Sequence, residues 1–586
     1  MMRKKLLFCL LLVFCAALAG TAFAAPRPFK AAVVQFNPVL NERDKNIEDL
    51  AVALEEAMKN GAKLIVAPEM STTGYYYLNR KAITPFVDTL PGKATDVFSK
   101  LTAKYDAYVV FGLPEMDPAT GLYYNAAALV GPEGYIGNYR KTHQWETEEH
   151  WSSYGDLGVP VYDTKLGRIA INICMDSAYF ETARLAALGG ADILAFPTNS
   201  TAQAIAALPA RAIQNGLFIV SANRSNTEIE YHMLGGSAIW APDGACLTAT
   251  PLLLTKEEDE TGPATIAYAT IDPAQYRNAG KDLLHTRRPE LYKDLMLHIA
   301  PWNYVKSTAP QELTGYVVQF RPRENDAAGN TAKIRALLAA ALANPGGGTK
   351  TPDIVVLPEN AVYGTAFTKQ SVDTGLYAEL AREYGVYLVG TFVEHEADKC
   401  YIVAALYDRE GNVVGRYRKT HLDDAEKAWA SPGDDIPIFV TDIGRIGIII
   451  GDEVRYPEIS GLLAVARADM IAVPSSWTIW DGGEWRLPPE MAVNRYPDRC
   501  MVLWDAIGIG AQAYTLVANY SGDDYFGGSG MYTLDPLYGL DQPKVLARGE
   551  AAFQVDFRTV QPEWWFNQEM LIHSRRSTYY KPLILE

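Results

Sequence analysis

The sequence predicts an α/β protein in which one folding unit is written twice. Short β-branched apolar runs alternate with amphipathic helical stretches, the pattern of strands covered by helices. Five segments recur in the same order, 278 to 292 positions apart, and such ordered self-similarity marks duplication. The chain of 586 residues is also longer than a single hydrophobic core usually supports.

The elements can be justified in order. "KAAVVQF" at 30–36 is short, apolar and β-branched, and reads as a buried strand. "NIEDLAVALEEAMKNGAK" follows, with Ile47, Leu50, Ala51 and Leu54 on one helical face and Gly61 where a C-terminal cap belongs. "KLIVAPE" is a second buried strand that ends at Glu69. "RIAINIC" (168–174) and "ADILAFP" (191–197) repeat the strand character, with "FETARLAALGG" as the helix between them.

The repeats are specific. "VVQF" stands at 33–36 and 317–320, and "LIVAPE" at 64–69 faces "IVVLPE" at 354–359. "YRKTH" occurs at 139–143 and again at 417–421. "GGS" returns at 527–529 after 235–237, and "RRPELY" at 287–292 faces "RRSTYY" at 575–580. These define units over 28–294 and 314–583, joined by a linker at 295–313.

The formal net charge of -16 argues against a nucleic-acid partner. Residues 1–24 read as a secretory signal peptide: a basic start, an apolar run too short for a stable membrane span, and Ala22-Phe23-Ala24 as the cleavage signal. The expectation is an exported protein, periplasmic or secreted, with no stable membrane insertion after cleavage. Cys174, Cys246, Cys400 and Cys500 remain beyond that segment, too few for a disulfide scaffold.

Three residues at segment ends form a chemical set. Glu69 closes a strand, Lys141 lies within "NYRKTH", and Cys174 ends "RIAINIC". Singly, each has an ordinary reading as a capping acid, a surface cation or a small buried hydrophobe. Together they supply a thiol nucleophile, a carboxylate to take its proton, and a cation for a developing oxyanion. The backbone N–H of Met175, next after the thiol, is a natural second oxyanion donor.

The order Glu…Lys…Cys within "APE", "YRKTH" and "ICMDSAYFE" resembles the nitrilase superfamily of carbon–nitrogen hydrolases, as do the later "GGSAIWAPDG" and "RRPELY". The resemblance implies two tandem four-layer α-β-β-α sandwiches. It implies Cys174 as nucleophile, Glu69 as general base, Lys141 as oxyanion-stabilising cation, and Glu115 in "FGLPEMD" as the second glutamate that positions the lysine. It implies no metal or organic cofactor, and a small-molecule amide, carbamoyl compound or nitrile as substrate. Loops carrying Tyr75, Trp145 and Asn199 are the candidate pocket walls. An N-acyltransferase using the same three residues, or a binding protein, are the alternatives.

The second unit departs from this pattern. Glu359, Glu394 and Lys419 match Glu69, Glu115 and Lys141, but "IIIGDEVRYPE" puts Gly451 at the nucleophile position. Glycine cannot form an acyl intermediate. The second unit is therefore expected to be catalytically silent. The resemblance, to a family whose members commonly dimerise through their sandwiches, implies that it stands in for the partner subunit in an intramolecular pseudo-dimer; a decayed domain kept for stability alone, or a pocket that still binds a ligand, are the alternatives.

Overall fold

Alternation along the first strand generates two layers at once. In β1 (Phe29–Phe36), Ala31 and Val33 pack toward a second sheet, while Ala32, Val34 and Phe36 pack toward helices. Successive side chains of a strand point to opposite faces, so a strand apolar at every position is one buried on both. The computed structural model describes residues 27–201, 203–260, 262, 264–297, 311–343, 351–485, 496–532, 543–559 and 567–585. The expected signal segment, 1–24, and most of the expected linker lie outside these residues. Glu312, placed in the linker by sequence, already belongs to a strand.

Helix α1 (Arg43–Lys59) follows β1 and ends before Gly61, whose φ is +87°. Ile47, Leu50 and Leu54 are buried as the periodicity predicts, while Ala51 sits at the rim and Ala53 turns inward. The first sheet continues with β2 (Ala62–Val66), β3 (Tyr108–Met116), β4 (Tyr123–Gly131) and β5 (Gly134–Arg140); helix α2 (Lys93–Tyr105) precedes β3. The second sheet takes β6 (Val161–Thr164), β7 (Gly167–Ile171), β8 (Ile193–Pro197), β9 (Phe218–Ala222), β10 (Ala238–Trp240) and β11 (Cys246–Ala249). Helix α3 (Phe180–Leu188) and helix α4 (Gln203–Asn215) flank β8 in sequence. Strand β12 (Ala264–Ile271) returns to pair antiparallel with β1. The orders are β12-β1-β2-β3-β4-β5 and β11-β10-β9-β8-β7-β6, each with a parallel centre and antiparallel edges.

The layers are legible in the packing. Val33, Val66 and Val110 of one sheet meet Ile171, Ile193 and Val220 of the other. Helix α1 covers the first sheet through Leu50 and Leu54, and helices α3 and α4 cover the second through Ala186, Leu208 and Ala212. The result is an α-β-β-α sandwich.

The second half repeats the arrangement. One sheet is centred on Glu312–Gln319, Ile354–Val356 and Tyr387–Glu396, and the other on Gly444–Ile448, Met470–Pro474 and Tyr514–Ala518. The two sandwiches meet through their inner helices. Met175, Tyr179, Ala210 and Ile213 share one apolar cluster with Ile459, Leu463, Val502 and Trp504. Among the described residues, no helix is long and apolar enough to cross a membrane.

Candidate active site

The two sheets of the first half bring Glu69, Lys141 and Cys174 to one end of the sandwich. Glu69 follows β2 through Ala67, whose N–H is held by the Val110 carbonyl at 2.8 Å. Gly112 on β3 permits this approach: a Cβ there would stand 2.5 Å from the Glu69 Cα. Lys141 follows β5. Cys174 opens a tight turn, Cys174–Ala178, separated from the end of β7 by Asn172 and Ile173, with a left-handed φ of +44°. Left-handed backbone at a non-glycine residue is uncommon and clusters at functional sites.

The polar groups are wired together. The Lys141 Nζ donates to Glu69 Oε1 at 2.8 Å and to Glu148 Oε1 at 2.6 Å, and all three side chains are fully buried. Glu69 also accepts from Asn125 Nδ2 at 2.7 Å and, on its other oxygen, from the Asn199 N–H at 2.9 Å. Glu148 accepts a second bond from the Tyr75 hydroxyl at 2.6 Å. A buried charge is tolerated only when it is paired and hydrogen-bonded. Burial acts to push Lys141 down, but the charges of Glu148 and Glu69 outweigh it and hold the ammonium above its usual range. Burial likewise pushes the Glu148 carboxyl up, with Lys141 opposing.

Burial pushes the Cys174 thiol up to about 12; the Glu69 charge adds to this and Lys141 opposes it. The resting sulfur is therefore a thiol, and attack by it requires a group that accepts its proton. The Sγ lies 3.7 Å from the Asn199 carbonyl oxygen. Asn199 is buried, and both polar atoms of its side-chain amide lack a hydrogen-bond partner. Tyr75 is buried against Met70 and Trp151, with Trp145 half-buried on the same apolar patch. Met175 is buried in the cluster between the halves.

Glu115 does not stand where the family resemblance implied, beside Lys141. Its carboxylate accepts from Arg140 at 2.5 and 3.0 Å and from Asn138 Nδ2 at 2.8 Å. Arg140 and Lys141 are consecutive, so their side chains leave the chain on opposite faces, and a carboxylate bound to one cannot serve the other. The second glutamate on Lys141 is Glu148. The sequence did carry a signal for it: Lys141 and Glu148 are seven apart, and so are Lys419 and Glu426 in the second half.

The rest of "YRKTH" is scaffold. Asp176, two residues past the thiol, accepts from the Tyr139 hydroxyl at 2.8 Å, Thr142 Oγ1 at 3.0 Å and the Ile173 N–H at 2.9 Å. It also pairs with His143 Nδ1 at 2.8 Å. One carboxylate thus ties the strand bearing Lys141 to the turn bearing Cys174. Glu453 does the same work in the second half, accepting from Tyr417 at 2.7 Å and from Thr420 Oγ1 at 2.8 Å.

The second pocket has been rewired. Gly451 occupies the turn with φ of +52°, and a Cβ there would stand 2.5 Å from Glu359 Oε2. Glu359 accepts from the Ser476 hydroxyl at 2.7 Å, and burial pushes it up to about 7. Lys419 is paired with Glu426 at 2.7 Å and with Asp452 at 2.6 Å. Asp452 replaces Met175 in the alignment, so a carboxylate now neutralises the cation from the nucleophile turn itself. Glu394, matched to Glu115, is likewise held by an arginine, Arg418, at 2.7 Å. Among the described residues no disulfide joins Cys174, Cys246, Cys400 or Cys500.

Comparison with known proteins agrees with this architecture. The family profile described as carbon–nitrogen hydrolase matches residues 30–281 and again 317–536. A nitrilase of Pyrococcus abyssi is 34% identical over 265 residues, spanning 45% of this chain and 98% of its own. A formamidase of Bacillus cereus is 34% identical over 233 residues, 37% of this chain and 69% of its own. Among solved structures, a carbon–nitrogen hydrolase from Helicobacter pylori is 26% identical, with a TM-score of 0.41, covering 46% of this chain and 99% of its own.

Proposed function

The chain belongs to the carbon–nitrogen hydrolase family, enzymes acting on carbon–nitrogen bonds other than peptide bonds, and from that premise we propose that its first half cleaves a small amide, carbamoyl compound or nitrile through a Cys174 acyl-enzyme. The observation that carries this reading is a buried ammonium held between two buried carboxylates beside a buried thiol. Such an arrangement has no evident structural purpose that apolar residues would not serve better.

In the proposed cycle, Cys174 Sγ attacks the substrate carbon as Glu69 takes the thiol proton. Lys141 and the Met175 N–H hold the negative oxygen, a contribution of about 3–4 kcal/mol for one well-placed donor. Glu148 fixes Lys141 from the side away from Glu69. With an amide or carbamoyl compound, Glu69 then protonates the departing ammonia or amine; with a nitrile the attack gives a thioimidate, which takes up water before ammonia leaves and the thioester forms. Water, deprotonated by Glu69, attacks the thioester and releases the acid. The unpartnered Asn199 amide is suited to bind the polar end of the substrate, with Tyr75 and Trp145 as apolar walls. The relatives, a nitrilase and a formamidase, favour amides and nitriles. The leading segment through Ala24 supports action outside the cytoplasm.

The second half is read as a silent partner, since Gly451 has no nucleophile. Ammonia release from a panel of amides, carbamoyl compounds and nitriles by the mature chain and by Cys174→Ala tests the reading. Release by the parent and not the variant is expected. Equal release by both would overturn the assignment of Cys174.

A further inference from the structure

The two halves exchange their terminal arms, and the exchange is reciprocal. Arg287, in the arm of the first half, donates to Glu458 of the second at 2.7 Å. Arg575, the matching residue of the second half, donates to Glu181 of the first at 3.1 Å. Glu181 and Glu458 are themselves matching positions, each seven residues after the nucleophile position. The next arginine of each arm then reaches the lysine loop of the opposite half. Arg288 donates to the carbonyl oxygens of Thr420 and Gly433. Arg576 donates from Nε to the Thr142 carbonyl at 2.9 Å, with its guanidinium 3.4 Å from the centre of the Tyr154 ring. Tyr579 of the same arm donates to the Gly155 carbonyl at 2.9 Å.

These contacts land on the backbone that sets Lys141. The Thr142 carbonyl belongs to the residue next after Lys141. The Gly155 N–H donates to the Lys141 carbonyl at 2.8 Å. The arm therefore holds both the residue that follows Lys141 and the residue bonded to the Lys141 carbonyl, from a segment more than 400 residues away in sequence.

We propose that Arg576 and Tyr579, supplied by the half that lacks a nucleophile, are positioning residues for Lys141 in the half that has one. The silent half acts as a built-in clamp on the oxyanion-binding lysine. This rests on the reading of the site given above. An oxyanion donor works only where it is held in place, and a displacement of about 1 Å can cost on the order of 100-fold. Fixing the Lys141 backbone leaves its ammonium free to answer only to Glu69, Glu148 and the substrate.

The near-symmetry of the arms provides the control. Arg576→Met and Arg288→Met each remove a guanidinium that bridges the same interface, but only the first touches the Lys141 loop. In the full chain, kcat of Arg576→Met is expected to fall on the order of 10- to 100-fold with KM within about twofold. Arg288→Met is expected to stay within about twofold of the parent in kcat, while the two variants lose similar amounts of thermal stability. Tyr579→Phe, which removes one hydroxyl and cannot unfold the arm, is expected to lower kcat severalfold in the same direction. Equal kcat losses in Arg576→Met and Arg288→Met would show a general interface effect and overturn the proposal. So would parental kcat in both Arg576→Met and Tyr579→Phe. The alkylation rate of Cys174 by iodoacetamide, followed by mass spectrometry, needs no substrate: a shift in Arg576→Met that Arg288→Met lacks is expected, and identical rates would count against the clamp. If Cys174→Ala were as active as the parent, the reading of the site would fail, and the clamp would stand or fall on these alkylation rates.

Discussion

Glu148 and Glu115 offer a direct contest between two assignments of the same role, and Glu148→Gln beside Glu115→Gln decides it. Glu148 accepts from Lys141 at 2.6 Å and from Tyr75 at 2.6 Å, fully buried. At an effective dielectric of about 20, a unit pair at that separation attracts by roughly 6 kcal/mol. Burial already disfavours the Glu148 charge, so its removal also relieves a desolvation cost of similar order. The net change in folding stability of Glu148→Gln is therefore small, about 1–3 kcal/mol, the size of a lost hydrogen bond to a charged group. The catalytic effect is larger. Lys141 is left to Glu69 alone, which moves the ammonium toward the base and makes that carboxylate a weaker proton acceptor. A fall in kcat of roughly 100- to 1,000-fold follows from the loss of one positioned electrostatic element. Glu115→Gln instead weakens the contacts to Arg140 on the opposite face, lowering stability by about 1.5–3 kcal/mol with kcat within a fewfold. Steady-state kinetics on a cleaved amide and thermal unfolding of both variants are the assays. Comparable kcat losses in the two, or a Glu148→Gln enzyme within a fewfold of the parent, would refute the argument.

Three further predictions follow from the same contacts. Gly451→Cys in a Cys174→Ala background is expected to release no ammonia and to lose about 1–3 kcal/mol of stability through overpacking, because its Cβ would stand 2.5 Å from Glu359; measurable turnover would show that the second pocket needs only a thiol. Because burial holds the Cys174 thiol up to about 12, the deprotonated fraction, and with it the rate of alkylation by iodoacetamide, should still be climbing above pH 10; a plateau near pH 9 would contradict the protonated resting state. Glu458→Ala leaves Arg184 and Arg287, both buried, without their carboxylate and should lower stability by about 3–5 kcal/mol, read by chemical denaturation, and a loss below about 1 kcal/mol would mean that water reaches the pair.

How far the sequence discloses the site depends on how locally each residue is determined. Glu69 and Cys174 follow apolar strands that announce themselves by composition, while Lys141 follows the mixed strand β5 and is marked instead by the repeat of "YRKTH". Their convergence was legible because parallel strands place their ends together. Glu148 was not, because it sits in the loop "ETEEH" among three glutamates that composition cannot tell apart; only the sevenfold spacing from lysine, repeated in the second half, singles it out. Glu115 was misread for a reason of strand geometry. It pairs with Arg140, the residue next to Lys141 in sequence, and only the alternation of side chains decides which of the two it serves. The contacts between the arms and the opposite halves join residues up to 434 positions apart, and no periodicity records such a pairing.

The repeated pentapeptide then has an explanation that catalysis alone does not give. Of its five residues, only Lys141 belongs to the pocket. Tyr139, Thr142 and His143 gather on Asp176, and Arg140 holds Glu115. Each of these scaffold contacts has a counterpart in the second half, on Glu453 and Glu394. The thiol is missing there, with Gly451 at the turn and Asp452 on Lys419, yet the scaffold contacts around it are intact. That division is what an interface would demand. The loop containing Thr420 receives Arg288 just as the loop containing Thr142 receives Arg576, and His421 accepts or donates to Tyr292 of the opposite arm at 2.6 Å. A half that had merely decayed would be free to lose the loop together with the thiol. A half whose loop must receive an arm, so that its own arm can be anchored on the other side, must keep the loop and is free to lose only the thiol.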